Sequence, residues 1–246
     1  MMNLMRFTSE TTSDGVSERL FTLGDIAGVL WSPACAAGDR PLVLLAHGGG
    51  QHKQAPGMVA RARGYVTECG FAVAAIDAPG FGERPMTEED ERSVADIRRR
   101  REAGEPFVPA ILRYNAALAK RAVPDWRATL DALQGGGAGG PVGFWGMSLG
   151  SCIGVPLAAA EPRITAAVFG LAGHETLGDA AARVGIPLEF WLQWDDELVP
   201  RESGLALFDA FASRDKTLHA HPGRHAELPV SERESSQRFL ARHLLT

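Results

Sequence analysis

A chain of 246 residues, 45% hydrophobic and 22% charged, has the composition of a globular protein with a sizeable core rather than of a disordered or membrane chain. Its formal net charge of −5 argues against a nucleic-acid partner, because binding phosphates requires a basic surface. The amino-terminal stretch lacks an uninterrupted apolar segment, and no run approaches the length of a membrane span. The simplest prediction is therefore a cytoplasmic protein with no membrane partner.

Apolar runs alternate with helical patterns from the amino end onward. Two short apolar runs separated by Gly24-Asp25 predict a hairpin, and the later runs predict buried strands at 41–48, 71–77, 142–147, 164–172, 187–194 and 216–221. Helical patterns stand between them at 58–69, from about 148, at 203–212 and from about 231. This βαβ alternation predicts one α/β domain over 1–246. Its sheet would be doubly wound and mostly parallel, with about eight strands and an N-terminal antiparallel hairpin.

One segment, 84–123, interrupts the alternation. It contains two helical patterns with no strand between them, and the expected crossover helix follows separately from Asp125. The segment leaves the carboxyl end of the strand that ends at Asp77, where open α/β sheets bind ligands. We therefore predict that 84–123 is a helical insert that covers a pocket as a lid; a purely structural excursion is the alternative.

Ser148 stands in GFWGMSLG, between a predicted strand and a predicted helix. A serine at such a sharp turn is lifted clear of the sheet, and the amino end of the following helix favours negative charge beside it. The turn requires small neighbours, which Gly146 and Gly150 supply. The pattern predicts a nucleophile, although a serine in a glycine-rich turn remains the alternative.

A serine nucleophile requires a base and a group that orients the base. The segment WDDELVP, 194–200, follows one predicted strand, and HPGRHAELP, 221–229, follows the last one. Because parallel strands end at the same edge of the sheet, His225 is predicted to reach Ser148. A carboxylate from Asp195 or Asp196 would then fix the tautomer of His225.

From about residue 18 to 246 the chain resembles the α/β-hydrolases, in particular their serine-esterase and dienelactone-hydrolase-like branch. GMSLG is similar to the nucleophile elbow of that family, HGGG to its oxyanion loop, DDELVP to its acid loop and GRHAE to its histidine loop. The resemblance implies Asp196, rather than Asp195, as the acid, because Val199 and Pro200 follow it at the spacing of the family's D-x-x-V-P pattern. Dienelactone hydrolases proper use cysteine where this chain has Ser148, so their substrate is not implied.

The resemblance also implies an oxyanion hole. Gly49 or Gly50 would donate one backbone hydrogen bond and Leu149 the other. A plain glycine turn is the alternative for the HGGG segment.

The remaining histidines are interpreted by their position. His47 is predicted to hold its loop, whereas His52 and His174 lie in loops that overlook the predicted pocket and are candidate substrate contacts; loop packing is the alternative for both. No pair of histidines shows HExxH or comparable spacing, so we predict no metal site. The chemistry of a serine triad requires no cofactor.

These observations predict a serine hydrolase that cleaves a carboxylic ester of a small molecule through an acyl-enzyme on Ser148. Thioesters and lactones would use the same machinery. An acyltransferase or cyclase with the same triad, and a non-catalytic binding protein on a hydrolase scaffold, are the alternative functions. The oligomeric state and the natural substrate do not follow from the sequence.

Overall fold

A nine-stranded sheet organises the residues that the computed structural model describes, which are 4–35, 39–135 and 139–245. The strands are β1 Arg6–Ser13, β2 Val16–Leu23, β3 Ile26–Pro33, β4 Leu42–Ala46, β5 Ala72–Ile76, β6 Val142–Gly146, β7 Ile164–Gly170, β8 Leu188–Gln193 and β9 Lys216–His221. Their order across the sheet is β1-β2-β3-β5-β4-β6-β7-β8-β9. Strands β1 to β3 are antiparallel, β3 joins β5 antiparallel, and all later pairs are parallel. The predicted fold class is confirmed.

The predicted hairpin corresponds to β2 and β3, but β1 was not predicted. All eight residues of β1 are exposed, and RFTSETTS shows no alternation of apolar and polar residues. The strand is held as the edge partner of β2 by backbone pairing. An exposed edge strand needs no buried face, so its sequence does not have to alternate between apolar and polar residues. Hydrophobic periodicity therefore could not predict β1.

The central strands are apolar on both faces because helices cover both. β4, β5, β6 and β8 are buried along their whole length. In β4, Val43 and Leu45 point into one core together with Trp145, whereas Leu44 points into the opposite core together with Phe144. This alternation is the two-residue period of a strand packed on both sides.

The helices of the described residues form two layers. They are α1 Pro56–Cys69, α2 Glu88–Glu102, α3 Val108–Gly135, α4 Leu149–Ala160, α5 Gly178–Ala181, α6 Arg201–Ala210 and α7 Glu232–Leu244, and a 3₁₀ turn spans His174–Thr176. α1 and α7 pack on one face of the sheet, and α3, α4, α5 and α6 pack on the other. No helix in the described ranges is both long enough and apolar enough to cross a membrane.

The insert differs from its prediction in one respect. A lid helix and a separate crossover helix were expected, but α3 is one helix of 28 residues with Pro124 inside it, so the predicted boundary at 123 lies within α3. Proline removes a hydrogen bond and crowds the preceding turn. The apolar face of α3 offsets this cost, since Leu118, Trp126 and Leu130 are almost completely buried.

The other part of the insert is α2, which begins at a capping box. Thr87 accepts a hydrogen bond from the backbone N–H of Asp90, and the Asp90 carboxylate accepts one from the N–H of Thr87. Asp90 is buried and also pairs with Arg121 of α3. α2 is therefore fastened to the amino-terminal half of α3.

Candidate active site

Ser148 occupies the turn between β6 and α4 with φ 56° and ψ −115°, a left-handed backbone that residues other than glycine rarely adopt. The turn is held by a hydrogen bond of 3.0 Å from the Ser148 N–H to the Gly170 carbonyl of β7. Such a constrained turn lifts the Ser148 side chain clear of the sheet at the amino end of α4.

The glycines beside Ser148 are required by close backbone packing. A Cβ on Gly146 would lie 2.8 Å from the backbone of Gly150, and a Cβ on Gly150 would lie 2.7 Å from the carbonyl oxygen of Ala46, at the end of β4. Neither distance is compatible with a side chain unless the backbone moves. The first turn of α4 therefore rests directly on the ends of β4 and β6, as the small-residue requirement of the turn predicted.

We expect Gly150→Ala to destabilise the protein by about 1–3 kcal/mol, because the added methyl group must displace the backbone of β4. Gly57→Ala is the matched control: Gly57 is likewise the second residue of a helix, α1, and a Cβ there meets nothing within 4 Å. The control should be neutral or stabilising by up to about 1 kcal/mol. Urea unfolding of both variants measures the difference. Equal free energies of unfolding would contradict the packing argument.

Ser151 supports the turn and was not singled out from the sequence. Its buried hydroxyl lies 2.7 Å from the carbonyl oxygen of Gly146 and 2.8 Å from that of Gly170, and it accepts a hydrogen bond of 2.8 Å from the Gly170 N–H. It thus ties α4 to the ends of β6 and β7. The sequence did contain a signal for this role. Ser151 is a small polar residue in the otherwise apolar run LGSCIGV, and a buried hydroxyl requires hydrogen-bond partners.

His225 lies between Ser148 and Asp196. The Ser148 hydroxyl is 2.9 Å from His225 Nε2, and His225 Nδ1 is 2.7 Å from Asp196 Oδ2. With the proton on Nδ1, the imidazole donates to the carboxylate and accepts from the serine. This is the arrangement in which a histidine can take a proton from an alcohol.

Asp196 is held by its own loop. Its other oxygen, Oδ1, accepts hydrogen bonds from the backbone N–H groups of Leu198 and Val199 at 2.8 and 2.9 Å, and its side chain is only 3% exposed. Asp195 has different contacts: its carboxylate accepts a hydrogen bond from the Gly223 N–H. Of the two candidate acids, Asp196 is the one in contact with His225.

The HGGG loop lies beside the Ser148 turn because β4 and β6 are parallel neighbours that end together. His47 fixes its start: Nδ1–H donates to the Gly48 carbonyl at 2.9 Å, and Nε2 accepts from the Ala78 N–H at 3.1 Å. Burial lowers the pKa of His47 below its ordinary value, which favours this neutral form. These contacts match the structural role predicted for His47.

The predicted oxyanion donors lie around this loop. Gly49 and Gly50 are exposed, a Cβ on either would meet nothing within 4 Å, and Gly50 has a φ of 73°. Leu149 is the first residue of α4, where helix N–H groups have no intrahelical acceptor. Their role in binding an oxyanion stays a prediction.

A second fastening also holds the loop. Asp77 accepts hydrogen bonds from the backbone N–H and the ammonium of Lys53, both at 2.8 Å, and from the Glu83 N–H at 3.1 Å. Lys53 also pairs with the Glu83 carboxylate. This cluster joins the end of the HGGG loop to the segment that leads into α2.

A small cavity of about 40 Å³ contains Ser148 and His225. Its walls are mainly apolar and come from three places: the start of α3 (Val108, Ile111, Leu112, Asn115), the elbow and its surroundings (Cys152, Leu171, Ala172, Gly173, Thr176) and the acid loop (Leu198, Val199). The predicted insert therefore does contribute to the walls of the site through α3. His52 and His174 are both exposed and are not among the described residues that border this cavity. Their contact with a substrate stays a prediction.

Among the described residues, one cluster brings three potential metal ligands together. The ligand atoms of His219, His221 and Glu232 all lie within 4.8 Å of one another. Each oxygen of Glu232 is hydrogen-bonded to one imidazole, at 2.9 Å for His219 and 2.6 Å for His221. The cluster joins β9 to the start of α7 and is separate from the Ser148 cavity. The sequence had no signal for it, because Glu232 approaches the histidines only in the folded chain.

Three solved structures illustrate what this chain is similar to. A cold-adapted esterase from an Arctic intertidal metagenomic library, in a complex with PEG, is 36% identical over 96% of this chain and 97% of that chain, with a TM-score of 0.78. A zinc-bound structure with the same description is 32% identical over 97% and 99%, with a TM-score of 0.75. An acetyl xylan esterase from Paenibacillus sp. R4 is 14% identical over 98% and 88%, with a TM-score of 0.68, and shares the fold. No protein-family model and no curated protein sequence matches the chain.

Proposed function

Because the chain belongs to the α/β-hydrolase family of esterases, we propose that it hydrolyses carboxylic esters of small molecules through an acyl-enzyme on Ser148. The observation that carries this proposal is the continuous hydrogen-bonded path from Ser148 Oγ through His225 to Asp196, with steps of 2.9 and 2.7 Å. Each step is within the reach that proton transfer from an alcohol to a base requires.

In the acylation step, Ser148 Oγ attacks the ester carbonyl while its proton moves to His225 Nε2. The imidazole becomes positively charged, and the Asp196 carboxylate stabilises that charge through Nδ1–H. The C–O bond to the alcohol then breaks, and His225 returns the proton to the leaving alcohol. Water repeats the sequence in the second half-reaction and releases the carboxylic acid, so no cofactor takes part.

The carbonyl oxygen gains negative charge during both attacks. We assign its stabilisation to the N–H of Leu149 and to one N–H of Gly49 or Gly50, since α4 and the HGGG loop meet beside Ser148. The loss of one such donor typically costs about 3–4 kcal/mol in the transition state. The two fastenings of the loop, through His47 and through Asp77, then serve to keep its donors in place.

We further propose that the insert is the lid of the site. α3 supplies four residues of the cavity wall, and α2 is joined to α3 by the Asp90–Arg121 ion pair. Apolar walls above a serine nucleophile exclude bulk water and strengthen the electrostatic interactions that the reaction uses.

Covalent labelling tests this assignment directly. A fluorophosphonate should modify wild-type protein at Ser148 and leave Ser148→Ala unmodified, with the site identified by peptide mapping. Ser13→Ala is the matched control, because Ser13 lies on the edge strand β1 and its hydroxyl bonds only to Arg63 among the described residues. It should label like wild type. Absence of labelling in wild type, or labelling of Ser148→Ala, would contradict the proposal.

A further inference from the structure

Two neighbouring cavities are both bordered by α3 and α4. The first is the cavity of about 40 Å³ at Ser148. The second, which we call the α3–α4 groove, has a volume of about 390 Å³ and mainly apolar walls, formed by Ala116, Ala119, Lys120, Val123, Pro124, Cys152, Pro156, Thr176 and Leu177. Cys152 and Thr176 border both. The groove thus begins where the cavity of the nucleophile ends.

The two helices are in contact at the border that the two spaces share. Asn115 Nδ2 of α3 lies 3.8 Å from Cys152 Sγ of α4. Cys152 follows Ser148 by one helical turn, and Pro156, in the groove wall, follows Cys152 by another, so the three positions share one face of α4. A chain leaving the ester carbonyl along this face would meet the Asn115–Cys152 contact first.

The size of the first cavity sets how much can enter it. The first cavity, of about 40 Å³, has roughly a tenth of the volume of the α3–α4 groove, so only a small group fits in it. We therefore expect the acyl part of the substrate to be a short chain. A longer chain would have to displace the contact between α3 and α4.

Resting on the proposed ester hydrolysis, we propose that the Asn115–Cys152 contact is a wall that restricts the acyl group to short chains, and that removing it connects the active site to the α3–α4 groove. Burial raises the pKa of the Cys152 thiol to about 11, so the thiol is neutral and does not act as a second nucleophile. Asn115 lies in the insert, which therefore limits acyl length as well as covering the site.

The experiment compares p-nitrophenyl esters of two, four and eight carbons. Wild type should hydrolyse acetate and butanoate, with kcat/KM lower by about tenfold or more for octanoate. The double variant Asn115→Ala with Cys152→Ala should raise the ratio of octanoate to butanoate kcat/KM by about tenfold, because the chain can then enter the groove. Asn115→Ala alone should raise the ratio by a smaller factor.

Ala116→Leu is the matched control, since Ala116 borders the groove and not the cavity at Ser148. When Ala116→Leu is added to the double variant, the increase in kcat/KM for octanoate should disappear. When it is introduced into wild type, kcat/KM for butanoate should be unchanged. If wild type hydrolyses octanoate as fast as butanoate, the contact does not restrict chain length, and this result holds even if the double variant does not fold. A folded double variant whose ratio of octanoate to butanoate kcat/KM equals that of wild type would also contradict the proposal. Loss of Ser148-dependent hydrolysis for every ester would instead contradict the proposed function.

Discussion

Asp196→Asn is expected to lower kcat/KM for a short-chain ester by on the order of 10⁴-fold, whereas Asp195→Asn should leave it within about threefold of wild type. The reason lies in the orientation of the new amide. The N–H groups of Leu198 and Val199 donate to Oδ1 of residue 196, so an asparagine would keep its carbonyl oxygen there and turn its NH₂ group toward His225. His225 Nδ1 must then accept, and the proton moves to Nε2.

A histidine protonated on Nε2 cannot take the proton of Ser148, because that nitrogen no longer has a free lone pair. The measurement is steady-state hydrolysis of p-nitrophenyl acetate, with thermal unfolding to verify that both variants fold. The variant at 195 changes a side chain that accepts from the Gly223 N–H, and the asparagine oxygen can accept the same hydrogen bond. Equal losses in the two variants would mean that Asp196 does not orient His225.

The sequence was sufficient to predict the parallel part of the sheet and the order of the candidate residues along the chain. β4 to β8 were recognisable because strands packed on both faces are nearly continuous apolar runs. Ser148, Asp196 and His225 were placed together because each follows a parallel strand of the same sheet. The reasoning needs only the direction of the strands and does not depend on side-chain detail.

The continuity of α3 shows where local signals are insufficient. The sequence predicts a separate crossover helix from Asp125, and Pro124 disfavours a helix that continues through it. The helix continues because its buried face extends on both sides of Pro124, with Leu118 before it and Trp126 after it. Tertiary packing outweighs a local penalty here, and only the folded chain reveals the balance.

The supporting contacts were the least accessible from the sequence. Lys53 and Asp77 are 24 residues apart, and Asn115 and Cys152 are 37 apart. Neither pair has a spacing that defines a motif, because each depends on how separate loops and helices come together. Sequence patterns therefore predicted the candidate reacting groups but not the residues that hold the HGGG loop or that lie at the border of the cavity.

Asp77→Asn is expected to reduce the free energy of unfolding by about 3–5 kcal/mol, because it leaves a buried ammonium without its main counter-charge. Asp77 is 0% exposed and Lys53 is 3% exposed, and the remaining partner of Lys53, Glu83, is largely exposed. Asn would also point an NH₂ group at N–H donors that now meet a carboxylate oxygen. Asp14→Asn is the matched control: Asp14 pairs with Arg63 at the surface, and its φ of 49° is one that asparagine tolerates.

The control variant should change the free energy of unfolding by less than about 0.5 kcal/mol. The pH dependence provides a second test. Burial alone would raise the pKa of Asp77, but the hydrogen bonds from Lys53 and from the Glu83 N–H outweigh it and hold this pKa below its ordinary value of 3.8. A depressed folded-state pKa contributes stability above the unfolded-state value, and that contribution is lost as the pH falls below about 4. Wild type and Asp77→Asn should therefore converge in urea unfolding curves toward low pH. If the free energies of unfolding of wild type and Asp77→Asn differ little at pH 7, or differ more in acid, the buried Lys53–Asp77 pair does not stabilise the loop.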